Sequence, residues 1–335
     1  MKKFIAGLSI FLPIHGLLGM FYFFFFSFQS LNSFMLFLLY SIRPYSFDLL
    51  QIDFITERMN DTSYRSMPIS LLNLYFFFSF LIGALLFITS KYKETRLLNF
   101  NYSLIVLISI LRIIYLLFGL MNPFNTHTLM LLSYIVLGVG YIWCCRFFIL
   151  KHLNTDELQT YTEESKGTES TYLKFASKSK RFLNLIIDTL LIMIVSYSII
   201  KSAVGDNSVL AFLRGLESAF GESFGGLIYF SLMRFIYYFV FEALFRATPG
   251  KFLTRCKVTD EEGNSPSLSS IFIRTLCRFI PFESISFLMN KNLHDNYSNS
   301  YVINQKKQQI KDNNYLIFLG FGLVLILVIY FYKTI

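Results

Sequence analysis

Residues 181–200, RFLNLIIDTLLIMIVSYSII, form an apolar run long enough to cross a bilayer, and an aspartate sits inside it at position 188. An ionised carboxylate in hydrocarbon costs roughly 3 kcal/mol even on insertion scales, so such a residue is normally placed against a partner. Arg181 lies seven positions earlier. Seven residues is nearly two helical turns, so the two side chains share a face about 10 Å apart along the axis. Direct contact over that distance requires snorkelling or another helix between them. The run therefore constrains the rest of the chain to surround a buried polar centre.

The remaining sequence repeats the pattern of long apolar blocks between charged loops. Of 335 residues, 54% are hydrophobic and only 15% charged, well below the charge of a soluble domain of this size. Seven spans of about 20 residues are expected, near 4–26, 70–89, 100–120, 128–150, 182–200, 224–245 and 315–332. A shorter apolar stretch, 31–42, prolongs the first helix or lies at the interface. The basic start and apolar core of the N-terminus resemble a signal peptide, but the run passes residue 26 without a small-residue cleavage site. It reads as a retained first span.

Lys and Arg set the orientation. Loops alternate between rich and poor in basic residues, with 21 Lys and Arg on one side and six on the other. The positive-inside rule then places the N-terminus on the cytoplasmic side. This alternation accounts for the net charge of +9 without a nucleic-acid partner.

Four regions follow from composition: a four-span unit of unknown type (1–150), a polar cytoplasmic linker (151–179), a second membrane domain (180–303), and a polar tract with a last span (304–335). The fold class expected is an all-α polytopic membrane protein with about seven transmembrane helices, a short cytoplasmic β-hairpin-like element and an interfacial helix. No internal repeat of the kind many transporters carry is visible.

The second domain holds the informative stretches. Thr248-Pro249-Gly250-Lys251 stops the sixth span and puts a cation at headgroup level. Residues 257–260 look like a short strand, followed by a turn at Gly263. Ser267, Ser270, Arg274 and Arg278 recur at helical spacing, so their helix lies at the interface with its arginines toward headgroups or the polar centre. Pro281 interrupts it, and a re-entrant or interfacial piece follows. Residues 300–303 alternate as a strand and can pair with 256–259, folding Asp295 back against the membrane face.

On these motifs, residues 174–303 resemble the RDD family of bacterial membrane proteins, named for one arginine and two aspartates. Arg181 and Asp188 resemble the family's arginine and aspartate on one helix. Residues 248–260 are similar to its TPGK turn and strand. Residues 274–288 resemble its arginine-bearing block, and Asp295 its second aspartate. Ser300 stands where the family usually has threonine. The resemblance implies an integral membrane module, with ion or solute transport in some members.

The candidate polar or ion-binding centre is therefore Arg181, Asp188, Asp295, Arg274 and Arg278. Asp188 either binds or relays a cation, or makes a structural pair with Arg274, Arg278 or Arg181. Asp295 either joins that centre or caps its own turn. His15, in the first span, handles protons or packs as a hydrogen-bonded histidine. Arg112, inside a span, needs a counter-group. Glu242 and Arg246 are read as an i,i+4 pair on one helix face, and Gly221 and Gly225 as a small-residue helix contact.

Cys144, Cys145, Cys256 and Cys277 have no zinc spacing and read as reduced thiols. No nucleotide, metal or nucleophile motif is found, so neither an enzyme nor a cofactor is expected. The partners expected are the lipid bilayer and a small cation or solute, with protein partners open. Function divides between transport through the centre at Asp188 and a non-transporting membrane scaffold.

Overall fold

The computed structural model describes residues 1–25, 51–58, 61–120, 128–154, 156–165, 168–203, 207–279, 293–306 and 314–334. The short apolar stretch 31–42 and the piece beyond Pro281 lie outside them. Among the described residues, six helices are long and apolar enough to cross a membrane: Lys2–Met20, Leu71–Thr89, Arg96–Ile114, Leu131–Leu153, Lys178–Ile200 and Glu222–Phe245. A further 21-residue apolar helix, Asn314–Thr334, closes the chain. The polytopic helical class follows directly from these lengths.

The chain forms two compact units, 1–143 with 310–335, and 144–309. In the first unit, α1 (Lys2–Phe25) precedes a hairpin of β1 (Gln51–Arg58) and β2 (Asp61–Ser70). Next come α2 (Leu71–Thr89), α3 (Arg96–Leu120), α4 (Thr128–Phe148) and finally α11 (Asn314–Thr334). Ser70 caps α2 by accepting from the Asn73 N–H at 3.2 Å. A tight turn joins α2 to α3. Lys91 and Tyr92 take positive φ there, and the Ser90 hydroxyl accepts the Lys93 and Glu94 N–H groups. Glu94 then grips the Arg96 guanidinium through two bonds of 2.9 and 3.0 Å, and Arg96 lies over the Tyr315 ring of α11.

The core of this unit is α3, whose residues from Leu97 to Leu107 are buried almost without interruption. Its polar groups are matched inside: Asn101 accepts from Ser79 of α2 at 2.9 Å, and Tyr102 meets Ser9 of α1 at 2.8 Å. Arg112 lies near the phenols of Tyr134 and Tyr141. His15 contacts the ring of Phe11.

In the second unit, the segment expected to be a plain linker is structured. β3 (Thr160–Ser165) and β4 (Thr168–Leu173) form a hairpin. The chain on either side of it clamps β6 (Tyr301–Asn304): Gln159 donates to the Asn304 carbonyl and Ala176 to that of Val302, both at 2.8 Å. The opposite edge of β6 pairs with β5 (Cys256–Thr259), Cys256 against Asn304 and Thr259 against Tyr301, the pairing the sequence suggests. Ala176, Cys256 and Val302 pack together beneath. Polar β-rich residues hid this clamp, because its partner strand lies over 120 positions away.

The helices of this unit are α5 (Lys178–Ala203), α6 (Asn207–Phe220), α7 (Glu222–Phe245), α8 (Pro249–Thr254), α9 (Leu268–Cys277) and α10 (Leu293–Ser298). Helix α6 fills the loop expected between the fifth and sixth spans. At Gly225 an added Cβ would come within 3.0 Å of the α6 backbone at Leu216 and Glu217, so the glycine lets the two helices touch. Helix α5 buries Arg181, Asn184, Asp188, Leu191, Ile192 and Val195, one face at 3–4 residue spacing. Its other face, Phe182, Leu183, Ile186, Leu190 and Met193, is exposed and suits lipid.

One close approach in the first unit is testable. A Cβ at Gly16 would lie 2.3 Å from the ring of Phe77, which is itself fully buried. Gly16→Ala is expected to destabilise the protein by about 1–3 kcal/mol, because the ring has nowhere to go. Thermal unfolding in detergent checks this, and an unchanged midpoint contradicts it.

Candidate functional site

Three acids on three elements organise the interior of the second unit. Helix α5 carries Asp188, α7 carries Glu242 and α10 carries Asp295; they are 1%, 0% and 0% exposed. Each needs donors, since a buried carboxylate without them would be strongly destabilising.

Asp188 is met by neutral donors. Tyr237 of α7 donates its hydroxyl at 2.8 Å, Thr248 at 2.6 Å, and the Gly250 N–H at 3.0 Å. The local sequence explains this geometry. Thr248 is the N-cap of α8, accepting from the Lys251 N–H at 3.4 Å while its own proton goes to Asp188. Pro249 fits the first helical position, which has no N–H to satisfy. Gly250 is the only residue that fits: a Cβ there would lie 2.9 Å from the Asp188 Oδ1 and 3.1 Å from the Asn184 carbonyl. The hydrogen-bond partners of Asp188 are thus not Arg181, Arg274 or Arg278. The arginines are drawn instead to the two other acids, and the TPG turn reaches Asp188 first.

Glu242 corrects a second expectation. It does not pair along its own helix with Arg246. Arg246 is the C-cap of α7 in the left-handed region, φ 58°, so the helix ends before an i,i+4 face can form. Glu242 instead receives Lys251, and Arg278 in a two-pronged contact of 2.7 and 3.3 Å. The Arg274 Nε lies 3.4 Å from its other oxygen. Arg278 also stacks 4.0 Å above the Tyr238 ring.

Asp295 takes Arg181 at 2.6 Å and Arg274 at 2.6 Å, with His294 at 3.3 Å. Arg274 therefore spans two acids, and its Nη1 also donates to the Ser300 carbonyl at 2.6 Å. Helix α9 is capped by Ser267 and held on α7 by Phe272 and Phe279 against Phe235, which turns Arg274 inward. Its arginines meet the polar centre rather than headgroups.

Burial alone would raise the Asp295 carboxyl, but Arg274, His294 and Arg181 outweigh it and hold the group down at about 2. Burial lowers the Lys251 ammonium, and Arg278 and Arg274 push the same way against Glu242 and Asp188.

The structure thus brings Arg181, Arg274 and Asp295 into direct contact, joins Arg278 through Glu242, and sets Asp188 beside them through Tyr237, Thr248 and Gly250. Glu242, Lys251, Thr248 and Tyr237 were not among the expected site residues. The signal for Glu242 was in the sequence: an acid inside an apolar span, as at Asp188. A cavity of about 60 Å³ lies against this centre, lined among others by Asn184, Asp188, Lys251, Arg274 and Arg278.

Residues 175–335 match the model of the RDD family. The C-terminal half of this protein is an RDD family domain. The match starts where the sequence motifs start and runs on through the last helix, beyond the residue 303 at which the motifs end. No curated protein and no solved structure matches the chain. With its membrane-length apolar helices, the RDD-containing chain is a multi-pass membrane protein.

Asp295 yields a pH prediction. Its folded value, about 2, lies below the ordinary 3.8, so the stability it contributes is present above about pH 4 and is lost as pH falls toward 2. The expected loss is on the order of 2 kcal/mol. Acid unfolding of wild type and Asp295→Asn checks it: the variant should start less stable and show a shallower decline across this window. Parallel declines contradict the assignment.

Proposed function

We propose that the RDD domain binds a small ion or solute at its buried polar centre and passes it across the bacterial inner membrane. The single observation that supports this most is the cavity beside Asp188. A core assembled only for stability gains nothing from space walled by ionised side chains, since well-packed apolar residues of the same volume are as stabilising or more so. Asp188 is the residue through which such a site would respond, because it lines the cavity and ties α5, α7 and the TPG turn together. The proposal is not enzymatic. The excess of Lys and Arg in alternate loops supports a cytoplasmic N-terminus.

A second reading, a membrane scaffold without transport, draws support from one fact: every one of the three carboxylates is engaged by protein donors. Flux separates the two. In proteoliposomes read with pH- and potential-sensitive dyes, wild type is expected to give ion or proton flux, and Asp188→Asn to reduce it to background while still inserting. Asparagine leaves the Thr248 hydroxyl without its acceptor, so a stability loss of about 1–3 kcal/mol accompanies the change. Unchanged flux in the variant rejects the proposal, and absence of flux from wild type favours the scaffold.

A further inference from the structure

Among the residues that line the cavity, the Nδ2 of Asn184 and the Nη2 of Arg274 have no hydrogen-bond partner, while the Nε of Arg274, also without a hydrogen bond, faces Glu242 at 3.4 Å. The first two are buried, and both are donors. The Oδ1 of Asn184 is already taken by the Thr254 hydroxyl at 2.6 Å, so its amide faces the problem with only its N–H groups. Buried donors without acceptors are rare in folded proteins and point to something that supplies them.

The rest of the wall limits what that is. Arg181, Lys251 and Arg278 line the same cavity, and the one carboxylate that lines it, Asp188, has both oxygens engaged by Tyr237, Thr248 and Gly250. A cation entering there would meet donors and like charges. At roughly 10–15 Å³ for each water, about 60 Å³ has room for about four to six waters, or for one tetrahedral oxyanion. The Nη2 of Arg274 carries two N–H groups that the oxygens of a phosphate can accept, while its Nη1 stays on Asp295 and Ser300.

We infer that this cavity is a site for a phosphate-type oxyanion, held by the Asn184 amide and the Arg274 guanidinium. The inference takes the polar centre as the solute site described above and gives the solute a sign and a class. The same phosphate chemistry is offered by a free ion and by a phospholipid headgroup.

Delipidated full-length protein in maltoside micelles, with gluconate holding ionic strength constant, separates these sources. One arm titrates inorganic phosphate and the other dioctanoyl phosphatidylglycerol, with thermal unfolding as the readout. A saturable rise in wild-type Tm in the first arm assigns a free oxyanion, and a rise in the second arm alone assigns a headgroup. In Asn184→Asp the Thr254 bond is kept while the donor becomes an anion. Half-saturation should there move up by about tenfold or more. No saturable rise in either arm overturns the inference, and so does an equal rise in the variant. Should Asn184→Asp not fold, equilibrium dialysis of labelled phosphate and, separately, of labelled dioctanoyl phosphatidylglycerol against wild type decides. Saturable binding of one per chain in either supports the site, and its absence in both overturns it. Phosphate binding without any flux would sink transport and leave this site standing. Flux that needs Asp188, with neither phosphate nor phosphatidylglycerol bound, would do the reverse.

Discussion

The guanidinium of Arg274 is fully buried, and it reaches two carboxylates on two other elements. An isolated charge in that position would be expelled or would unfold the unit, because its desolvation penalty is several kcal/mol. Arg274 is tolerated only because Glu242 and Asp295 are both in place. Those acids are tolerated only because Arg181, Lys251 and Arg278 complete their shells. The helices α5, α7, α9 and α10 are in this way tied to one charge network. None can be withdrawn without leaving an uncompensated charge behind.

Asp188 stands beside that network but on different chemistry. Its donors are the Tyr237 hydroxyl from within α7 and the Thr248 hydroxyl and Gly250 N–H from the turn that ends α7 and starts α8. A carboxylate held by neutral donors lacks the ion-pair attraction that guanidinium groups add to the hydrogen bond, and is more easily perturbed. The centre thus divides into a rigid half that fixes the helices and a softer half beside the cavity. A binding site benefits from that division, since the frame need not move when the solute comes and goes.

Much of the fold was legible from local pattern. Apolar run lengths gave the spans, and alternation at 300–303 gave the β5–β6 pairing. Helical spacing put Arg274 and Arg278 on one face. The site was legible in part, and its residues reached each other in ways spacing does not encode. Arg181 and Asp188 share a face of α5, yet Arg181 goes to Asp295 and Asp188 to Thr248, because the choice depends on which element packs there. Glu242 and Arg246 had the right spacing for a pair. The left-handed turn at Arg246, which lets the chain reach Thr248, cancels it. The clamp made by the chain flanking β3 and β4 was invisible for a related reason: its neighbour β6 is distant in sequence, and the segment's own composition is that of a loop.

The central claim is that Arg274 and its acids stabilise the unit as a single charge-paired group. A double-mutant cycle measures this most directly: Arg274→Met, Glu242→Gln and the pair, compared by reversible unfolding in detergent. The account predicts that each single change costs about 3–5 kcal/mol, and that the double mutant recovers at least about 1 kcal/mol of their sum. Strictly additive losses would show that the two side chains do not act on each other, and would contradict it.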